Sequence, residues 1–436
     1  MKSVGIGLVG FGVIGTGVVR LLSSNASIIK ERAGVTLSLR RIADIDTRRD
    51  RGVPVEKGLL IDDYRKILDD DEIGVVIELV GGTTVAREIV LGAIERGKHV
   101  VTANKALLAV HGKEIFDAAE KQGVAVRFEA SVGGGIPIIR AVQEGFASDR
   151  IESMHGIING TSNYILTEMT ARGRSFKEVL KKAQEKGFAE ADPTFDVDGT
   201  DAAHKLCILC ALSFGYYIEL DQIYREGIDR LTPADIDFAR EFGFTIKLLA
   251  IAREHEGTIE VRVHPTMIPS SHLLATVDGA YNAIYIHGAS VGSSMLYGLG
   301  AGEMPTASAV LSDAMDIARG LVRGSPGRGN ALSVHNRFLG STQIRPMDEI
   351  ESRYYLRFTA PDRPGVLSRI AGVLGDHDIS ISRVIQKGRE RPGSVPVVIM
   401  THAAREKDMR AALARIDGSK EVQAPTQMIR IASNLP

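Results

Sequence analysis

Only two cysteines stand in a chain of 436 residues. Two thiols cannot build a disulfide framework, so a packed core must hold the fold, and a reducing compartment, the cytoplasm, is the expected location. Long apolar runs are missing too: the longest, Leu206 to Ile218, falls short of the ~20 residues a membrane helix needs, so no membrane association is expected. Met1-Lys2-Ser3 leads directly into a glycine-punctuated apolar segment, and no secretory leader is expected. Charge of one sign is not in excess. Lys plus Arg number 53 against 54 Asp plus Glu, a formal net charge of −1, which leaves no global basic field to hold nucleic acid or an anionic lipid surface. There is neither an internal repeat nor a low-complexity tract. What is present, 44% hydrophobic and 25% charged residues, is ordinary globular usage, and the length predicts about two to four domains.

From Val4 onward, short apolar runs alternate with amphipathic stretches, the pattern of a parallel sheet covered by helices on both faces. Strands are expected at Val4–Val9, around Val35, Leu37 and Leu39, and at Val75–Val80, His99–Thr102 and Val124–Glu129, with a helix over Thr16–Leu22. The alternation stops after Gly133-Gly134-Gly135. The next segment mixes strand candidates, Ile151–Ile158 and Val261–Met267, with longer helices such as Asp235–Ile251, and reads as a second domain of α+β type. Ser308–Arg323 is again helical and runs into a glycine- and proline-rich stretch from Gly320 to Ser333, a linker that makes the C-terminal part of the chain separable. Beyond it, strand, helix, strand, strand, helix, strand in the order βαββαβ forms a ferredoxin-like module. The expected organisation is therefore α/β, with a Rossmann-type domain at 1–135 completed by about 303–325, a catalytic and dimerisation domain at 136–302, a linker at 326–350 and the ferredoxin-like module at 351–436.

Gly10-Phe11-Gly12-Val13-Ile14-Gly15 is a GxGxxG turn directly after a strand and at the opening of a helix. Its glycines permit a tight turn, close approach of the backbone to a pyrophosphate, and helix-on-sheet packing, so a dinucleotide is the expected ligand. Asp44, at the end of the second strand, suits the ribose hydroxyls of NAD, whereas Arg40, Arg41, Arg48 and Arg49 suit the 2′-phosphate of NADP. The choice stays open, with NADP favoured. Thr102-Ala103-Asn104-Lys105 follows the fourth strand and brings Lys105 to the carboxyl edge of the sheet, where open α/β folds bind ligands. The stretch Gly187–Lys205 gathers Glu190, Asp192, Asp196, Asp198 and Asp201, and sets Asp201 four residues before Lys205 at the start of an apolar helix, on one face. Asp196-Val197-Asp198-Gly199-Thr200 lacks the preceding hydrophobic strand of a DxDGT phosphotransferase and the glycine placement of an EF-hand. Cys207-Ile208-Leu209-Cys210 lies in an apolar run and reads as core.

These motifs together resemble the homoserine dehydrogenases of the long bacterial type with a C-terminal ACT domain. The resemblance rests on GFGVIGTG at Gly10–Gly17, ANKALLA at Ala103–Ala109, EASVGGGIPII at Glu129–Ile139, NGTSNYIL at Asn159–Leu166, the whole of Ala183–Lys205, and GAGEMPTA at Gly300–Ala307. It implies NAD(P)-dependent, reversible reduction of L-aspartate 4-semialdehyde to L-homoserine, on the route to threonine and methionine. It further implies Lys205 as proton donor, Lys105 as a second catalytic lysine beside the cofactor, Glu190, Asp201, Gly160 and Thr161 at the substrate, and Gly187 and Gly302 against the cofactor. Glu129, Val132, Gly134 and Ile136 match a sodium site made largely of backbone carbonyls. Asp362, Pro364, Gly365, Val366 and Leu367 match an ACT loop that receives an amino-acid effector, with threonine expected. Phe188 departs from relatives that carry tyrosine there. A homodimer or homotetramer is expected, and fusion to an aspartokinase is not. Two other readings compete: a different dehydrogenase of amino-acid metabolism, and an amino-acid sensor without catalysis, against which the intact Lys105, Glu190, Asp201 and Lys205 argue.

Overall fold

The computed structural model describes residues 2–324, 332, 340, 342–386, 394–432 and 435. The chain divides into two compact units, one from Met1–Glu152, Ala203–Gln222 and Asn282–Ser341, the other from Ser153–Ala202, Ile223–Tyr281 and Thr342–Pro436.

The first unit contains β1 (Ser3–Val9), β2 (Thr36–Ala43), β3 (Leu60–Ile61), β4 (Ile73–Glu78), β5 (His99–Thr102) and β6 (Val126–Arg127). All pair in parallel, in the order β3-β2-β1-β4-β5-β6. Parallel strands are covered on both faces and so need near-continuous apolar sequence, which β1 and β4 supply. The order reverses between β1 and β4, which opens a crevice at their carboxyl ends. The helix Glu303–Val322 returns from far along the chain to pack Ala307, Val310 and Ala314 against Val18 and Val19. Gly17 makes this possible, since a Cβ there would sit 2.9 Å from the Glu303 carbonyl oxygen. The last strand is shorter than the expected Val124–Glu129. Beyond Arg127 the backbone leaves the ladder: the Glu129 N–H donates to Asp313 Oδ2 at 2.8 Å, and Glu129–Ser131 coils into a 3-10 turn.

In the second unit, β7 (Ile151–Ile157) lies antiparallel to β9 (Phe244–His255), which forms a hairpin with β10 (Thr258–Pro269); the short β8 (Tyr224–Arg225) runs parallel to β10. The helix expected over Asp235–Ile251 is corrected here. Helix covers Pro233–Glu241, Gly243 takes φ +82°, and the chain continues as β9. A buried strand and a buried helix are both continuous apolar runs, so periodicity does not separate Ile246–Ala252 from a helix. The hairpin closes at Glu256 and Gly257, both with positive φ, as a tight antiparallel turn requires.

The βαββαβ module is present as the strands Glu351–Pro361, Ile381–Gln386, Ser394–Thr401 and Gln427–Ile431 with the helices Val366–Asp376 and Glu406–Asp417. It has its own core of Tyr354, Leu356, Phe358, Ile370, Leu374, Val397, Ile399 and Met409. It is nevertheless not a detached body on a tether. Its last strand pairs in parallel with β10, Thr266 opposite Arg430 and Met267 opposite Ile431, so one sheet runs through both parts. Arg357 clasps the fully buried Asp235 at 2.6 Å. Most of the linker expected over 326–350 lies outside the described residues; its end is not linker, because Gln343–Ile344 also pairs with β10. Among the described residues no helix is long and apolar enough to cross a membrane.

Candidate active site

The glycine turn sits where the sheet order reverses. Gly10 adopts φ +99°, and a Cβ there would fall 2.6 Å from the Leu79 backbone; a Cβ on Gly15 would fall 2.2 Å from the Gly10 oxygen. Gly12 differs, with nothing within 4 Å of its virtual Cβ. It faces open space and serves as N-cap of the helix Val13–Ser24. A cavity of about 290 Å³ opens here, lined by Gly10, Gly12, Asp44, Tyr64, Val80 and Val85 among others. Backbone bare of side chains at a helix N-terminus fits a pyrophosphate.

Asp44 is engaged within the protein: it accepts from Phe11 N at 2.6 Å and Asp46 N at 2.8 Å and pairs with Arg51 at 3.2 Å. Arg51, which sequence reasoning missed, lies 4.7 Å over the Phe11 ring with its side chain 6% exposed. Only the fold brings it to the turn, 40 residues away. Arg40 does not line the cavity. It lies within β2 and pairs at 3.4 Å with Glu72, which precedes β4, so its guanidinium belongs to the opposite edge of the sheet.

Lys105 is the first residue of the helix Lys105–Gln122, at the carboxyl end of β5. Its placement is fixed by a polar relay. The buried Thr102 hydroxyl donates to Glu78 Oε2 at 2.6 Å, Asn104 N donates to Thr102 Oγ1 at 3.0 Å, and Asn104 caps the helix by accepting from Leu107 N at 3.0 Å. Burial pushes the Glu78 carboxyl above its usual range, while its bonds from Thr102 and Val80 act the other way. Glu78 and Thr102 carried no sequence signal as members of the site, because each reads as the end of an apolar strand.

Asp201 and Lys205 both fall in the helix Thr200–Phe214, one turn apart, and both are buried. Asp201 Oδ2 accepts from Asn159 Nδ2 at 2.8 Å, and the same nitrogen donates to Asp196 Oδ1 at 2.7 Å. Asn159 also caps the helix Gly160–Arg172 by accepting from Ser162 N at 2.8 Å. Gly160 opens that helix where a Cβ would meet the Ala280 oxygen at 2.9 Å, and Thr161 Oγ1 donates to the Phe188 oxygen at 2.8 Å. Phe188 stacks on Tyr164 with centroids 4.6 Å apart. These contacts bring Gly160, Thr161, Asp196 and Asp201 together and tie down the acidic loop. Glu190 is exposed on that loop, and Gly187 turns into it with φ +74°.

Glu129 accepts from Ile139 N at 2.8 Å and Arg140 N at 2.9 Å, and burial holds its carboxyl above the usual range. Asp313 beside it is pushed up to about 7 by burial, although Arg140 pairs with it at 3.1 Å. Val132 and Ile136 are buried, and Gly134 turns with φ +52° against the Gly300 carbonyl. Each Glu129 oxygen accepts one of these bonds and keeps a further lone pair, while the Ile136 carbonyl accepts from Ile138 N at 2.8 Å. Gly302 caps the helix Glu303–Val322 with φ +135°. In the βαββαβ module, Asp362, Pro364 and Gly365 are exposed, Val366 is buried in the core, and Gly365 caps the helix Val366–Asp376 at φ +86°.

Comparison with known proteins agrees with this arrangement along the whole chain. Residues 10–129 match the homoserine dehydrogenase NAD-binding domain, 137–315 match homoserine dehydrogenase itself, and 354–418 match the ACT domain. Homoserine dehydrogenase from Neisseria gonorrhoeae is 47% identical over 433 residues, covering 99% of both chains. The enzyme of that name from Pseudomonas aeruginosa is 45% identical over 437 residues, again covering 99% of each. The crystal structure of a homoserine dehydrogenase from Thiobacillus denitrificans superposes with a TM-score of 0.93 at 46% identity, over 99% of this chain and 98% of that one. A nicotinamide-binding sheet, a buried Asp–Lys helix and an ACT module thus occur in one chain with full-length likeness of this degree, and the chain belongs to the homoserine dehydrogenase family of oxidoreductases.

Proposed function

We propose that this enzyme catalyses the reversible reduction of L-aspartate 4-semialdehyde to L-homoserine, on the route to threonine and methionine, with Lys205 as proton donor. The observation that carries the reading is that Asp201 and Lys205 are both buried, one turn apart at the start of one helix, with Asp201 held by Asn159. A nicotinamide cofactor bound at the Gly10–Gly15 turn supplies the hydride. Lys205 then stabilises the negative charge that develops on the aldehyde oxygen and gives it a proton. Lys105, fixed by the Glu78–Thr102–Asn104 relay, supplies a second positive charge beside the cofactor. Glu190 grips the substrate ammonium, Asp201 keeps the reacting end in register, and Gly160 and Thr161 shape the substrate loop. Gly187 and Gly302 give the cofactor close backbone approach.

NADP is favoured over NAD. Phe11 N, Asp46 N and Arg51 already occupy the Asp44 carboxylate, which weakens its claim on a ribose diol, and Arg48 and Arg49 stand on the adjacent loop. A sodium ion would rest on the carbonyls of Glu129, Val132, Gly134 and Ile136. Threonine is the proposed effector at Asp362–Leu367, a homodimer or homotetramer the proposed assembly, and the cytoplasm the proposed compartment. Spectrophotometric homoserine oxidation, run with NAD and NADP in parallel, tests the reading. Turnover with NADP the better cofactor is expected; no turnover with either overturns it.

A further inference from the structure

A cleft of about 450 Å³ opens where β10 meets the strands Glu351–Pro361 and Gln427–Ile431, and all of its lining lies in the second unit. Its walls are basic. Arg253, Arg262, Arg353 and Arg430 contribute to them, and Glu351 is the sole carboxylate. Two of these arginines are matched from behind: Arg262 by Glu260, and Arg430 by Glu406 and Glu226. The other two are not. Among the described residues, Arg353 Nε donates to the Thr401 carbonyl at 3.4 Å, and Arg253, exposed at the rim, stands opposite Glu260 across the β9–β10 pair, a carboxylate already held by Arg262 and Arg345. Glu351 is itself 3.7 Å from Arg405, so the cleft has spare positive charge.

Arg262 Nε and His264 Nε2 are buried in this lining and have no hydrogen-bond partner among the described residues. They are of opposite kinds. Guanidinium Nε–H only donates. His264 is 1% exposed, and its Nδ1 lies 3.0 Å from the Pro265 carbonyl, which only accepts. The Thr266 hydroxyl also lies 3.0 Å from Nδ1 and donates to the His264 carbonyl at 3.1 Å; with its proton there and the ring proton on Nδ1 both contacts are satisfied, and in this tautomer Nε2 presents a lone pair. Burial, Arg430 and Arg262 hold the imidazole well below its usual pKa and keep it neutral. Arg262 and His264 alternate along β10, so they share one face of the sheet. A buried donor and a buried acceptor left open side by side call for an occupant that supplies both complements.

We propose that this cleft binds a small molecule carrying both an oxyanion and a hydroxyl group, a hydrogen phosphate or a hydroxycarboxylate. The oxyanion accepts from Arg262 Nε and takes the spare charge of Arg253 and Arg353; the hydroxyl donates to His264 Nε2. Since Arg262 belongs to β10 and Arg353 to the ACT module, the ligand would bridge the seam of the shared sheet. No residue of the Asp362–Leu367 loop takes part.

The test is calorimetric titration of the full chain with inorganic phosphate, L-malate and succinate, at ionic strength fixed with sodium chloride. Phosphate and malate are expected to bind, and succinate, which lacks the hydroxyl, to bind about tenfold more weakly or worse. Arg253→Glu, at the exposed rim, should weaken phosphate and malate at least tenfold, while Gly12→Val leaves this binding in place. His264→Leu should erase the preference for malate over succinate; if that variant does not fold, Arg253→Glu still decides the location. Tighter phosphate assigns a phosphorylated ligand, and tighter malate a hydroxy acid. Binding of none of the three above the chloride background, equal binding of malate and succinate to the unmodified protein, or binding unchanged in Arg253→Glu would each overturn the proposal.

Discussion

Both hydrogens of the Asn159 amide are spent on carboxylates, one on Asp201 at 2.8 Å and one on Asp196 at 2.7 Å. Its oxygen meanwhile caps a helix. Asn159→Asp separates these tasks. Aspartate caps as well as asparagine, so stability should change little, but a third carboxylate would face Asp196 and Asp201. We expect kcat/KM for homoserine to fall by about 10²-fold, in the range a misplaced reacting group costs. Wild-type kinetics in this variant would mean that Asn159 acts only as a cap.

Gly12→Val should fold, because nothing lies within 4 Å of the added Cβ, yet lose cofactor affinity, because the side chain would stand in the space the pyrophosphate takes. Gly15→Ala should instead lose stability, its Cβ meeting the Gly10 oxygen at 2.2 Å. Fluorescence titration with NADPH and urea unfolding distinguish the two. Unchanged affinity in folded Gly12→Val would remove this turn as the phosphate site.

Arg357→Ala leaves the fully buried Asp235 carboxylate with Tyr355 and Thr232 but without its cation. Breaking such a pair from one side costs on the order of 3 kcal/mol. Urea unfolding should show this loss. An unchanged midpoint would mean that the ion pair does not tie the ACT module to its neighbouring helix.

Burial pushes His99 down to about 4, while its Nδ1 accepts from Ala125 N at 2.8 Å. Below pH 6.5 the unfolded chain takes up a proton that the folded chain refuses until about pH 4. Stability is therefore lost as pH falls through this window, by up to about 3 kcal/mol from this residue. His99→Gln should flatten the dependence between pH 6.5 and 4.5. An unaltered slope would assign the acid limb to other groups.

The nucleotide half was legible because its signals are local. A GxGxxG turn between strand and helix, and apolar runs of strand length, identify themselves within a few residues, and β1, β4 and β5 stand within two residues of expectation. The βαββαβ order of the last module was readable for the same reason. What sequence could not give was pairing over distance. Arg51 reaches Phe11 across 40 residues, and the last strand joins β10, some 160 residues earlier in the chain. Arg40 misled because its proximity to Asp44 in sequence hides the length of β2, which carries it away from the turn. Asp235–Ile251 misled because burial on all sides erases the period that separates helix from strand.

The central claim is that Lys205 acts on the reacting oxygen, and turnover by Lys205→Met measures it most directly. Methionine keeps much of the length and apolar stem of this buried side chain while removing the proton and the charge. We expect kcat for homoserine oxidation to fall by 10²-fold or more, with NADPH affinity within about twofold of the unmodified enzyme. Turnover near the wild-type rate in a folded, cofactor-binding Lys205→Met variant would contradict the account.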